Sequence, residues 1–211
     1  MKNLKKADFI AAALCLCAVI PGAAVYGRLP DRITTHWNLQ SEANGSMPKA
    51  LAVFGIPVLF AVLTLFFCAV MRKAEEKQSS GKPVLILRFL LPALLFMMQS
   101  IILLAALGKL RDISSAAFVL ISAFMIILGN YMPKLRKNAL IGIRTPHIMA
   151  NEAVWYKTHR LAGMTVTAGG ILSLAASLAG YFPAAFVIMM VSLLIPAIYG
   201  EVIYFKNKKR A

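Results

Sequence analysis

Residues 130–163 read NYMPKLRKNALIGIRTPHIMANEAVWYKTHRLAG, a polar stretch between two strongly apolar ones. It holds two of the three histidines, one of the two tryptophans and six of the 23 basic side chains. It is too long for a simple turn between membrane helices and too patterned for a slack linker. Pro133 ends the apolar block before it, because proline cannot continue a helical hydrogen-bond ladder. Lys134, Arg136 and Lys137 follow, where anionic lipid headgroups lie. Ala139–Ile143 is an apolar run too short to span, closed by Arg144, Thr145 and Pro146. An arginine fixed there by a proline can turn its guanidinium back toward a carboxylate or carbonyl. Asn151 is a helix N-cap, with Glu152 at the positive helix start. A helix over 152–160 then sets Glu152, Trp155, Tyr156 and His159 on one side and lies at the membrane interface, leading to the next apolar block.

Around this stretch the chain is greasy. Of 211 residues 60% are hydrophobic, and the mean hydropathy is +0.74. The apolar residues fall in blocks long enough to cross a bilayer as helix. Six spans emerge, near 7–27, 50–71, 84–107, 113–131, 161–182 and 183–205. The predicted fold class is therefore an all-α membrane protein with six transmembrane helices. Lys2, Lys5 and Lys6 precede the first block, which is long for a cleaved signal and reads as an uncleaved span. Cys15, Cys17 and Cys68 lie inside apolar blocks without metal-like spacing, so they read as small buried hydrophobes.

The net charge of +15 sits in the gaps between blocks, which makes it a topology signal and not a nucleic-acid footprint. With the N-terminus inside, the inner segments hold 18 Lys and Arg and the outer segments 5, together the full 23. Both termini are then cytoplasmic, 130–163 is a cytoplasmic loop and 28–49 an extracellular one. In the fifth span Thr165, Gly169, Ser173 and Ser177 recur every four residues, a face for close helix packing.

The outer loop, RLPDRITTHWNLQSEANGSMPK over 28–49, alternates Ile33, Thr35, Trp37 and Leu39 with Thr34, His36, Asn38 and Gln40. That period predicts a short strand, with Asn44-Gly45 as the turn of a hairpin-like cap. His36, Asp31 and Glu42 lack a second histidine at ligand spacing, so a folded polar loop outweighs a metal site there.

Several blocks together resemble a known family. Gly129–Lys134, Gly142-Ile143-Arg144-Thr145-Pro146, then Glu152, Trp155 and Lys157–Gly163 closely resemble the signature segment of the SdpI family of bacterial immunity proteins. Leu29-Pro30-Asp31-Arg32-Ile33 with Thr35-His36-Trp37-Asn38 resembles the domain of unknown function that often precedes it. His147 departs from the aromatic, often Trp, expected after the proline. The resemblance implies a two-span unit, 1–83, and an SdpI-like four-span unit, 84–211, in the bacterial cell membrane.

It also implies a non-enzymatic role. The family's type member protects its producer from a secreted killing peptide and helps signal by holding a cytoplasmic repressor at the membrane. The expected partners are the lipid bilayer, a peptide toxin outside and a repressor inside, with no direct nucleic-acid contact, no cofactor and no metal. The candidate partner-binding residues are Asn130, Pro133, Lys134, Gly142, Arg144, Thr145, Pro146, Asn151, Glu152, Trp155, Thr158, His159 and Arg160. On the outer loop they are Pro30, Asp31, His36, Trp37 and Asn38. The alternative function is a small transporter or channel, with Arg88, Gln99 and Glu201 as polar groups near a path. An enzyme ranks last: there is no HExxH and no paired intramembrane aspartate set. A metal shared by His147, Glu152 and His159 is the remaining chemical reading.

Overall fold

In a computed structural model the described residues are 6–38, 42–75, 81–110, 112–138 and 141–209, with side chains described outside 70–87. Lys2, Lys5, Leu39, Gln40, Lys77, Arg111, Ala139, Leu140 and Arg210 lie outside the described residues. Six helical stretches are long and apolar enough to cross a membrane: Lys6–Ala24, Leu51–Ala69, Arg88–Ala106, Ile113–Lys134, Glu152–Leu178 and Phe182–Lys208. Large apolar side chains such as Ile20, Phe66 and Leu178 are exposed on them, as expected of surfaces that a bilayer covers.

The chain forms two compact units, Met1–Arg72 with Leu85–Leu120, and Lys73–Val84 with Ile121–Ala211. In the first, the initial span is two helices, α1 (Lys6–Cys17) and α2 (Val19–Ala24). The break falls just before Pro21, whose ring clashes with the carbonyl four residues back. Two strands follow, β1 (Arg32–Trp37) and β2 (Ala43–Pro48), paired antiparallel. The expected strand is present, but the turn is not at Asn44-Gly45. Those residues lie inside β2, with Gly45 opposite His36 and register shifts on either side of His36. The reversal is closed earlier, by Asn38 N–H to the Glu42 carbonyl at 3.0 Å. Residues Leu51–Gly55 make one π-helical turn before α3 (Ile56–Glu75); Pro57 denies the regular ladder a donor there. Helix α4 spans Gly81–Ala106. Leu29, Ile33, Ala52, Val53, Ile102 and Leu103 form a core that seats the ribbon on the helix ends.

Helix α5 (Ile113–Tyr131) runs from the first unit into the second. The second unit continues with a 3₁₀ turn at Met132–Lys134, a short helix α6 (Pro146–Ala150), and the long helices α7 (Glu152–Leu178) and α8 (Phe182–Lys208). The interfacial helix and the fifth span are thus one continuous helix of 27 residues. Its four-residue stripe packs on α8. A Cβ on Gly169 would overlap Ser192, and Ser173 Oγ donates to the Ala185 carbonyl at 3.0 Å. Ser177 Oγ donates to the Ser173 carbonyl at 2.7 Å, so both serine hydroxyls of the stripe are satisfied where no water reaches.

Candidate functional site

The segment 130–163 folds as a loop docked on the first turns of α7. Four anchors hold it. Pro133, which ends α5, sits where a Cβ on Gly163 would stand, so α7 needs a glycine there. Leu135 is buried, and its carbonyl accepts the indole Nε1–H of Trp155 at 2.9 Å. Asn138 ties the loop to itself: its Nδ2 donates to the Arg136 and Ile141 carbonyls at 2.8 and 3.2 Å, and its Oδ1 accepts Ile141 N–H at 2.8 Å. Ile143 N–H donates to His159 Nε2 at 3.1 Å.

The histidine's chemistry follows from its partners. Its Nδ1 lies 2.9 Å from the Trp155 carbonyl, which only accepts, so Nδ1 carries the proton. Nε2, facing an amide N–H, is then the lone-pair nitrogen. Both ring nitrogens are engaged, the ring is stacked on Trp155 at 3.9 Å, and the residue is fully buried. His159 is a neutral staple, with neither nitrogen open for a ligand. Gly142 passes over it with φ +113°, and a Cβ would overlap Nε2 and press to 3.1 Å of the Trp155 ring.

Beyond Gly142, Thr145 caps α6 by accepting Ile148 N–H at 3.2 Å, with Pro146 in its first turn. Asn151 caps α7 by accepting Val154 N–H at 3.1 Å. These caps fix two orphan helix donors, and α6 can then press the fully buried Ile148 toward Gly200 and Thr158. His147 stacks on Tyr204 at 4.5 Å and sets Nδ1 2.6 Å from Glu201 Oε2. An imidazole thus fills the aromatic slot while adding a polar bond that a carbocycle lacks.

Two sequence expectations change. Glu152, Trp155, Tyr156 and His159 do not share an environment: Trp155 and His159 are buried, Glu152 and Tyr156 exposed. The buried set is Val154, Trp155, Thr158, His159 and Ala162, because the docked loop covers only that arc. Arg144 does not turn back to a carboxylate. It is exposed and has no partner among the described residues. Among the described residues no His, Cys, Asp or Glu group could hold a metal, and His147 and His159 serve different elements. The loop therefore presents Asn130, Lys134, Arg144, Glu152 and Arg160 outward on a fixed frame, with Lys134 Nζ over the Tyr131 ring at 4.6 Å.

In the first unit the ribbon's polar residues go to separate partners. Asp31 pairs with Lys49 at 3.0 Å. His36 meets Asn44 at 2.5 Å, and Asn38 donates to Glu42 at 2.8 Å. Trp37 packs on the core and Pro30 is exposed. Sequence reasoning missed Asp8. It is fully buried on α1, with Oδ1 3.2 Å from Nε of the buried Arg88 on α4. Its signal was plain, an acid one turn into an apolar block, but counting only Lys and Arg passes over it. Gln99, also on α4 and buried, donates to the Ala52 carbonyl at 2.9 Å.

Six apolar spans and a docked polar loop define a multi-pass bacterial membrane protein. Residues 134–200 match the SdpI/YfhL protein family, and residues 13–61 match a domain of unknown function (DUF1648). The chain is 27% identical over 194 residues to Immunity protein SdpI of Bacillus subtilis (strain 168), across 90% of this chain and 89% of that one. No solved structure matches it. The matched segment begins at Lys134 and ends at Gly200, so it takes in most of the docked loop and its partners on α7, while Pro133, Glu201 and Tyr204 fall just outside it.

Proposed function

We propose that this protein is a non-enzymatic immunity protein that gives its host resistance to a secreted peptide toxin. The observation that carries the reading is the similarity to Immunity protein SdpI along nearly the full length of both chains. Both termini lie in the cytoplasm, which the 18-to-5 division of Lys and Arg supports. The ribbon of Pro30, Asp31, His36, Trp37 and Asn38 then faces the toxin's side. The loop 130–163 faces the cytoplasm, where its outward residues offer a cationic surface to a soluble repressor. The two-span part, 1–83, and the four-span part, 84–211, act as the toxin-facing and signalling halves. Expression in a toxin-sensitive strain tests the reading. Protection is expected, and killing unchanged across a panel of secreted peptide toxins would remove it.

A further inference from the structure

Where the ribbon meets the helix ends, the first unit has a cavity of about 240 Å³ lined by Pro30, Arg32, Thr34, Trp37, Ala105, Ala106 and Ile113. Half of its wall is loop and strand. The other half is the last residues of α4 and the first of α5, which end apolar spans. That places it at the depth of the lipid headgroups. Trp37 and Ala106 pack on the buried cluster around Ile33 and Leu103, so the wall is preformed.

Its charge is one-sided. Arg32 donates from Nε to Ser46 Oγ at 3.2 Å and from Nη2 to the Ser46 carbonyl at 3.0 Å. Those bonds fix the guanidinium plane and leave Nη1 without a partner among the described residues. The neighbouring acids are already committed: Asp31 to Lys49, Glu42 to Asn38, and Asp112 to Ser115 N–H at 2.9 Å as the cap of α5. A planar guanidinium held in one plane at the cavity wall favours a phosphate. The volume lies below the ~300–1,000 Å³ of pockets that enclose a whole drug-sized ligand, so it suits one polar moiety whose remainder lies in the bilayer.

We propose that this cavity is the headgroup seat of an anionic phospholipid. The phosphodiester lies against Arg32, the glycerol passes Trp37, and the acyl chains leave over Ala105, Ala106 and Ile113. The assignment is independent of toxin resistance and of which leaflet the ribbon faces.

Native mass spectrometry of the full chain, released from detergent with equal amounts of phosphatidylglycerol and phosphatidylcholine of matched chains, tests it. One phosphatidylglycerol should be retained with about tenfold preference, the scale of one charge-assisted hydrogen bond. Arg32→Gln, at an exposed position, should abolish the preference, and Arg32→Lys should restore part of it. Lys109→Gln, outside the cavity, should leave it unchanged. Equal retention of the two lipids, or a preference that survives Arg32→Gln, overturns the proposal.

Discussion

The Nε2 of His159 accepts the backbone N–H of Ile143 at 3.1 Å, across 16 residues of sequence. With the Trp155 indole on the Leu135 carbonyl at 2.9 Å, it holds the loop's backbone to one helix arc by two side chains stacked on each other. Most of the signature residues therefore build the loop's frame, and the residues left outside it are the ones free to meet a partner.

Gly142→Ala should undock the loop. It combines a positive φ with overlap against His159 and Trp155, two of the mechanisms behind large losses, and should cost about 2–3 kcal/mol or more. Gly108→Ala is the matched control. Its φ of +69° is unfavourable for a side chain, but no atom lies within 4 Å, so about 1–2 kcal/mol is expected. Thermal unfolding in detergent, read from Trp155 fluorescence in a Trp37→Phe background, should rank the two in that order.

His159→Phe keeps a stacking ring and removes the acceptor. Ile143 N–H is then left unsatisfied, at about 1–3 kcal/mol. Hydrogen exchange should rise at Ile143 and its neighbours while the α7–α8 packing near Ser173 stays protected. Equal exchange in wild type and variant would show that the contact holds nothing in place.

The ion pair of Asp8 and Arg88 is buried on both sides. Removing one partner takes the opposite charge away from the other in a buried setting, so Asp8→Asn or Arg88→Leu alone should each cost about 3–5 kcal/mol. An apolar double replacement, Asp8→Leu with Arg88→Met, should recover much of it, since both partners leave together. Membrane yield and thermal midpoint of the four proteins, wild type included, check this.

His147 and Glu201 are a third exposed, at 39% and 31% of their side chains, so solvent screens the pair. Glu201→Gln should lower the thermal midpoint only slightly. His147→Trp should be similarly mild, because a ring still stacks on Tyr204. A large drop in either thermal midpoint would mean that the α6–α8 contact anchors the whole segment.

Much of the architecture was legible because a bilayer enforces length and polarity: six apolar blocks were read as six spans, and six helices of that kind are present. The cap at Asn151, the stop at Pro133 and the stripe from Thr165 to Ser177 are local or periodic features, and one strand of sequence carries them. The rest depends on which distant residues meet. The Trp155–Leu135, Ile143–His159 and Asp8–Arg88 contacts span 20, 16 and 80 positions, and no local pattern encodes them. The ribbon's turn was misplaced because Asn-Gly is a strong turn signal that pairing across a bulge can absorb into a strand. Helical spacing puts Tyr156 on one side with Trp155 and His159, but it gives neighbours without saying how wide an arc the loop covers, and Tyr156 falls outside that arc.

The central claim is resistance, and one comparison bears on it directly. A sensitive strain carrying the wild-type chain, its level in the membrane verified, is set against the same strain with an empty vector over a dose series of secreted peptide toxins. Survival at toxin doses at least about tenfold higher, equivalent to about 1.4 kcal/mol in an effective equilibrium, is expected for at least one toxin. Superimposable killing curves for every toxin, with the protein present in the membrane, would contradict it.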